Sequence, residues 1–363
     1  MLYGQQAVCV LGLGLGRRIL LQYGDDLISP WRWLERLIPK GFLRSMQGEE
    51  HARYRRLMLR VFPTDPAPGD IEVVRGICRH HLAELASQGP AGDLRGALNG
   101  IATDVMIRVA YGVERPMADW HDLTELFDLL APGGRQVWEP TAEQAAPFHT
   151  LCDVTRRLVR TGAAAGGLGQ LLTEHGIDAL DDTMVGNIVY GVDIGRYDLT
   201  GLLCWLLKML SDAPKVAERV RGGAEPAPAR AVVQETLRLQ QAEGLHYIAT
   251  ADLEVEGYHI PKDTFLRVCL RESHRDPNVF PDPLRFDPDR FVDRRYDIES
   301  YAPFGLSRHR CIAADLVLTV GTVFVEELAR GYRWRVVADG PEHRGTFHWE
   351  PSPKFAIELQ PIH

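Results

Sequence analysis

The chain is 363 residues long, more than a single hydrophobic core usually organises, so length allows one large domain or two ordinary ones. Hydrophobic residues at 45% and charged residues at 25% are ordinary for a globular protein and exclude collagen-like, low-complexity and wholly disordered classes. A formal net charge of -8 argues against a partner recognised through its phosphate backbone, because nucleic-acid binding needs a broad basic surface.

The N-terminal stretch has an apolar run from Ala7 to Gly16, with no basic residues before it and no small-residue cleavage site after it. A cytoplasmic chain is therefore expected. No run reaches the roughly 18 apolar residues that a membrane span requires. Gly12, Gly14 and Gly16 invite a dinucleotide-binding reading, but the spacing G-x-G-x-x-G calls for a glycine where Arg17 stands. From Arg17 to about Asp212 the pattern is mostly helical, with turn signals at Pro63 to Asp70, Gly89 to Gly92, Pro132 to Gly134 and Gly162 to Gly169. Between Thr183 and Leu207 only Asp193, Arg196 and Asp198 are charged. At 1.5 Å per residue this predicts a helix of about 40 Å, apolar nearly all round and so running through the middle of the protein. Its polar centre marks either a solvated kink or a cavity, and Arg196 and Asp198 are expected to pair behind the helix.

After Gly244 the texture changes to short alternating runs rich in β-branched and aromatic residues, joined by a turn at Glu256-Gly257. Residues 277 to 291 carry too many prolines for regular structure. A last helix, about Ala313 to Arg330, precedes a C-terminal piece of short strands. Six cysteines (Cys9, Cys78, Cys152, Cys204, Cys269, Cys311) show no C-x-x-C spacing, so reduced, mostly buried thiols are expected rather than disulfides or structural zinc. Glu235 and Arg238 share a helix face at a spacing of three. Arg290 follows in an irregular loop. Cys311 stands at a helix N-terminus beside Arg308, His309 and Arg310, a setting that favours the thiolate.

In order along the chain these features resemble the cytochrome P450 family, the haem-thiolate oxygenases, in their soluble bacterial form. The matching elements are H-x-x-x-R (His51, Arg55), the long central helix, E-x-x-R (Glu235, Arg238), PDRF at 288 to 291, and the loop FGLSRHRC ending at Cys311. HRDP at 274 to 277 and the run from Asp104 to Gly112 also fit. The resemblance implies a mainly α fold with small β-sheets (α+β), in which a long central helix lies over haem and the cysteine loop lies on the proximal side. It also implies one domain over residues 1–363, helix-rich over about 17–243 and strand-containing over about 244–363. The implied cofactor is haem b with Cys311 as axial iron ligand. His51, Arg55 and His309 match positions that grip the propionates, with Phe304 and Arg308 in the cysteine loop and Tyr247 near it. Glu235, Arg238 and Arg290 match a buried structural triad.

The chain departs from the family at informative places. Ser307 and Ala313 replace two glycines of the cysteine loop, and Ser307 costs on the order of 1 kcal/mol if its position needs a positive φ. Tyr247 falls where relatives carry a third propionate-binding arginine; Tyr247 or His246 could donate instead. In the central helix Gly191 and Asp193 match, but the threonine that organises water and proton delivery is Ile194, which cannot hydrogen-bond. These three are the catalytic candidates. The relay is then rebuilt, completed by substrate, or not used. Only fifty residues precede His51, so a shortened N-terminal sheet is expected. Pro132 to Gly169 corresponds to the mobile lid, with Trp138 and Phe148 as aromatics in it. Arg53, Arg56, Arg60, Arg294, Arg295, Arg308 and Arg310 would gather as a docking face for an acidic ferredoxin.

The expected activity is oxidation of a small organic, secondary-metabolite-type substrate with dioxygen and ferredoxin-delivered electrons. The alternatives are a peroxide-using or non-redox (dehydratase or isomerase) haem-thiolate enzyme, and a catalytically inactive partner protein. A nucleic-acid partner is not expected.

Overall fold

A computed structural model describes residues 6–62, 68–132, 141–223, 229–241 and 244–362. The first part runs β1 (Ala7–Val10), α1 (Leu13–Gln22), β2 (Leu27–Ile28), α2 (Gly48–Val61), α3 (Pro68–Gln88), α4 (Leu94–Tyr111), α5 (Ala118–Leu130), α6 (Ala142–Arg160) and α7 (Gly166–His175). Then come the long α8 (Asp182–Asp212), α9 (Pro214–Arg221) and α10 (Ala229–Thr236), which continues as a π-helical turn over Leu237–Gln241. The remainder holds β3 (Gly244–Ala249), β4 (Leu253–Val255), β5 (Tyr258–Ile260), β6 (Phe265–Cys269), α11 (Leu270–Ser273), α12 (Ala314–Gly331), β7 (Tyr332–Ala338), β8 (His343–Arg344), β9 (Trp349–Glu350) and β10 (Ala356–Pro361).

Local chemistry explains where the helices start and stop. Asp93 and Asp181 cap α4 and α8, their carboxylates accepting from the amides of Gly96 (2.9 Å) and Met184 (2.8 Å). Gly112 closes α4 at a left-handed φ of 69°. Among its 31 residues α8 buries most of its side chains on every side, and α4, α6, α2, α12 and α10 pack around it. At 1.5 Å per residue it is about 46 Å long, so it can pass under the whole helical layer.

The N-terminal segment contributes more sheet than its sequence suggests. β1 pairs in parallel with β6, and β2 pairs antiparallel with β3, giving a four-stranded sheet in the order β1-β6-β3-β2. Helix α1 also begins at Leu13 rather than Arg17. A side chain at Gly16 would lie 2.4 Å from Val268 Cγ1, so glycine there lets α1 lie directly against β6. Packing thus overrides the low helix propensity of the glycine run. Likewise α7 starts inside the stretch expected to turn, where Gly167 meets the backbone of Val61. Glu256 and Gly257, at φ 49° and 80°, make the tight turn between β4 and β5. Residues 277–291 hold no α-helix or strand, only a 3₁₀ turn at Pro288–Phe291. Among the described residues no helix is long and apolar enough to cross a membrane.

Candidate active site

The loop before α12 is shaped by its own backbone. Gly305 takes φ 97°, the Arg310 amide donates to Ser307 O (2.9 Å), and the Cys311 amide donates to Phe304 O (2.9 Å). Ser307 is not in the left-handed region; Gly305 carries the demanding geometry, so the serine introduces no φ strain. Tyr247, buried on β3, shares a hydrogen bond with the Ser307 side chain. The two departures from the family pattern therefore meet each other.

Cys311 sits three residues ahead of the first residue of α12. Its side chain is accessible, although protein packs closely around it. Burial pushes its thiol up to about 11; an N–H donated by Ala313 to sulfur and the charges of Arg55 and Arg310 oppose the rise, and the Asp198 carboxylate adds to it. Metal coordination removes such a proton outright.

His51 of α2 and His309 of the loop lie with ring centroids 4.2 Å apart. Burial, followed by neighbouring positive charge, pushes His51 down to about 4; burial, followed by His51 and arginine charges, pushes His309 down to about 3. Both rings are neutral near pH 7 in the protein alone. His51 Nε2 and His309 Nδ1 are buried with no hydrogen-bond partner among the described residues. Arg55 donates to Arg310 O at 2.8 Å, which brings its guanidinium to the same loop. Arg308 is used differently, with Nη2 donating to Gly24 O (2.7 Å), Asp25 (2.8 Å) and Gln47 (2.6 Å), so it ties the loop to the segments after α1 and before α2. Phe304 packs against the main core and lends its carbonyl to Cys311.

Behind the loop, Glu235 and Arg238 form a fully buried two-point pair of 2.7 and 2.8 Å, with Arg290 Nε 3.4 Å from the same carboxylate. Arg238 also donates to the carbonyls of His274 and Pro283, both at 2.8 Å, while His274 Nε2 accepts the Ala302 amide at 2.9 Å. A continuous set of hydrogen bonds thus runs from α10 to the root of the Cys311 loop.

On α8, Gly191 faces α2, where a side chain would crowd Met58 and Phe62 at 3.1 Å. Asp193 is buried beside Arg196 at 3.5 Å. Arg196, fully buried, donates to Thr103 (2.8 Å), Phe127 O (2.7 Å) and Asp128 (2.6 Å). The expected pairing of Arg196 with Asp198 is replaced by this network, since Arg196 and Asp193 point to α4 and α5. Asp198 goes the other way, to His348 Nε2 at 3.8 Å. Ile194 is half-buried against the core, and Tyr190 packs edge-on to Phe42 at 4.7 Å.

Arg44 was not marked by any spacing in the sequence. Its guanidinium lies over Trp31 at 4.4 Å, and its charge acts on Asp198, Tyr190, His246, Tyr247 and His309. Of the arginines expected to form a docking face, Arg53 lies 3.6 Å from Asp181, Arg60 2.8 Å from Glu174, and Arg308 is paired as described. Phe148 is buried packing on α6, and Trp138 lies outside the described residues.

A thiol held by a backbone donor, two imidazoles each with a buried nitrogen unsatisfied among the described residues, and a guanidinium beside them fit an iron porphyrin bearing two propionates. The comparisons agree. The Cytochrome P450 family model matches residues 229–347, which contain the Glu235–Arg238 pair and the Cys311 loop. The chain is 27% identical over 346 residues to abscisic acid 8'-hydroxylase 3 of Oryza sativa subsp. indica, covering 85% of this chain and 68% of that protein. It is 27% identical over 344 residues to abscisic acid 8'-hydroxylase 2 of Arabidopsis thaliana, covering 84% and 70%. In fold it is similar to the retinoic acid-bound cyanobacterial CYP120A1, with a TM-score of 0.80, 19% identity and coverage of 99% of this chain and 90% of that one. A zebra fish cytochrome P450 solved with progesterone gives a TM-score of 0.81 at 19% identity, covering 99% and 95%. Sequence match, fold and loop chemistry converge in support of a cytochrome P450, a haem-containing monooxygenase.

Proposed function

We propose that residues 1–363 act as one domain that oxidises a small, largely apolar organic molecule with dioxygen and electrons from a ferredoxin. Cys311 would be the axial ligand of haem b, and His51, Arg55 and His309 would hold its propionates. Haem so held supplies the family's oxidising chemistry, insertion of one atom of dioxygen into an organic substrate. The observation that carries the reading is the Cys311 loop, whose thiol receives the Ala313 N–H while the two unsatisfied imidazoles flank it.

The residues of the chain do the positioning. Ala313 N–H and the N-terminus of α12 favour negative charge on sulfur. The Tyr247–Ser307 bond and the Arg238–His274–Ala302 series hold the loop in place. Gly191 allows the close approach of α8 and α2. Ile194 excludes water from the middle of α8, and Asp193 is held by Arg196, so neither offers a free proton donor. Proton delivery then falls to water organised by a polar group of the substrate, a substrate-assisted relay. The named substrates and ligands of the relatives, abscisic acid, retinoic acid and progesterone, favour a lipophilic molecule. An acidic ferredoxin would dock near the exposed Arg56 and Arg310.

Ile194 also favours a second reading, in which the enzyme uses peroxide or does non-redox chemistry. Oxygen uptake by the haem-loaded protein separates the two. Uptake driven by NADPH, ferredoxin reductase and ferredoxin supports the first reading, whereas turnover with hydrogen peroxide alone supports the second.

A further inference from the structure

Two of the cysteines meet far from the Cys311 loop. Strand β1 lies parallel to β6 with Cys9 opposite Arg267, so Cys269, two residues further along β6, is on the same face of the sheet as Cys9. The opposite face carries Val10 and Val268, packed with Leu13, Ile19 and Leu20 of α1. Cys9 and Cys269 share a side-chain hydrogen bond, so the two sulfurs are in contact. Both are free thiols. Cys9 is exposed, whereas Cys269 keeps 2% of its surface, and its S–H lies 3.7 Å from Arg267 O.

The backbone around the pair is fixed independently of the thiols. The Gly12 amide donates to Ser273 Oγ (2.9 Å), and Ser273 Oγ donates to Cys269 O (2.6 Å), which ties the chain just after Cys9 to the chain just after Cys269. Strand pairing and these bonds hold the sulfurs together, so joining them has little chain entropy left to overcome. β1 is also the edge of its sheet, with β6 as its one strand neighbour among the described residues. A link at this point would fasten a strand that is otherwise held from one side only.

The two thiols differ in reach. Burial pushes the Cys269 thiol up to about 12; the Arg267 charge opposes the rise, and Glu272 and Cys9 add to it. Near neutral pH Cys269 therefore keeps its proton, and the exposed Cys9 is the sulfur that a dissolved reagent meets first.

We propose that Cys9 and Cys269 form a reversible redox pair, a dithiol that a small disulfide of the glutathione type converts into a β1–β6 disulfide. Cys9 gives up its proton and its sulfur attacks one sulfur of the reagent; that S–S bond breaks, and the departing thiolate takes up the proton. Cys269 then attacks the Cys9 sulfur of the mixed disulfide, and the second thiol leaves with the Cys269 proton. The two protein thiols lose two electrons, and the reagent is reduced to two thiols. Neither sulfur takes part in the haem-thiolate reading.

The test treats the haem-loaded protein with excess oxidised glutathione at about pH 8 and reads the intact mass and a peptide map prepared without reductant. The wild type should lose the mass of two hydrogens, show the Cys9 and Cys269 peptides joined, and regain both thiols with a phosphine reductant. On oxidation the β1 amides should exchange with deuterated buffer at least about tenfold more slowly. Cys9→Ser, at an exposed position, should form no link. Cys269→Ala should stop at a mixed disulfide on Cys9, at least about tenfold more abundant than in the wild type. A wild type that stays reduced, stops with glutathione on Cys9 or joins two copies through Cys9 would overturn the proposal, as would a Cys9–Cys269 link that leaves β1 exchange unchanged.

Discussion

The imidazoles of His51 and His309 face each other at 4.2 Å, one from α2 and one from the Cys311 loop, each with a buried nitrogen that nothing described satisfies. A buried polar atom without a partner costs roughly 1–3 kcal/mol, so under the proposed function the pair would receive an acceptor that none of the described residues provides. Replacing His51 and His309 together by phenylalanine keeps the ring packing and removes both donors. Transfer of haem to an excess of apomyoglobin should then accelerate by about ten- to a hundredfold, the worth of one or two charge-assisted hydrogen bonds. Unchanged transfer would mean that these rings do not touch the propionates.

The Glu235–Arg238 pair is fully buried on both sides. Removing one partner strands the other charge, which typically costs about 3–5 kcal/mol. Arg238→Met should lower stability by that amount in denaturant unfolding and loosen the Cys311 loop through His274 and Ala302. The double variant Glu235→Leu with Arg238→Met should recover part of the loss, because it buries no lone charge.

His274 is completely buried, and burial, followed by the Arg238 charge, holds its imidazole down to about 3. In the unfolded chain the same ring takes a proton near 6.5. The unfolded state therefore binds more protons between about 3 and 6.5, so stability is full above that range and falls as the pH drops through it. At pH 5 this single residue accounts for about 2 kcal/mol of the loss relative to pH 7.5. His274→Gln, whose amide oxygen can still accept from Ala302, should flatten this part of the curve in urea unfolding at the two pH values.

Ile194→Thr restores a hydroxyl to the middle of α8. If a polar group of the substrate now completes the proton relay, the added hydroxyl should change the split between product and released peroxide, and substrate analogues lacking their polar group should gain most. Identical partition for wild type and variant with both kinds of substrate would remove the substrate-assisted account.

Much of the architecture was readable because its signals are local. A scarcity of charge from Thr183 to Leu207 announces α8, a spacing of three aligns Glu235 with Arg238, and a cysteine beside a helix start marks the Cys311 loop. The features that escaped depend on contacts distant in sequence. Nothing near Arg196 reveals that Thr103 and Asp128 will receive its guanidinium, so Asp198 looked like its partner when it faces the opposite side. The β1–β6 pairing joins residues 7–10 to residues 265–268, and no local window of sequence contains both. Ser307 suggested strain because position alone does not say that Gly305 bears the left-handed φ. Arg44 carries no motif; its importance comes from what surrounds it.

The central claim is that Cys311 binds the haem iron, and the absorption spectrum of the reduced protein with carbon monoxide tests it most directly. The wild type should show the strongly red-shifted Soret band of a thiolate-ligated haem, and Cys311→Ala should lose that band while the protein stays folded. A wild type that takes up haem without that band, or a Cys311→Ala variant that keeps it, would contradict the account.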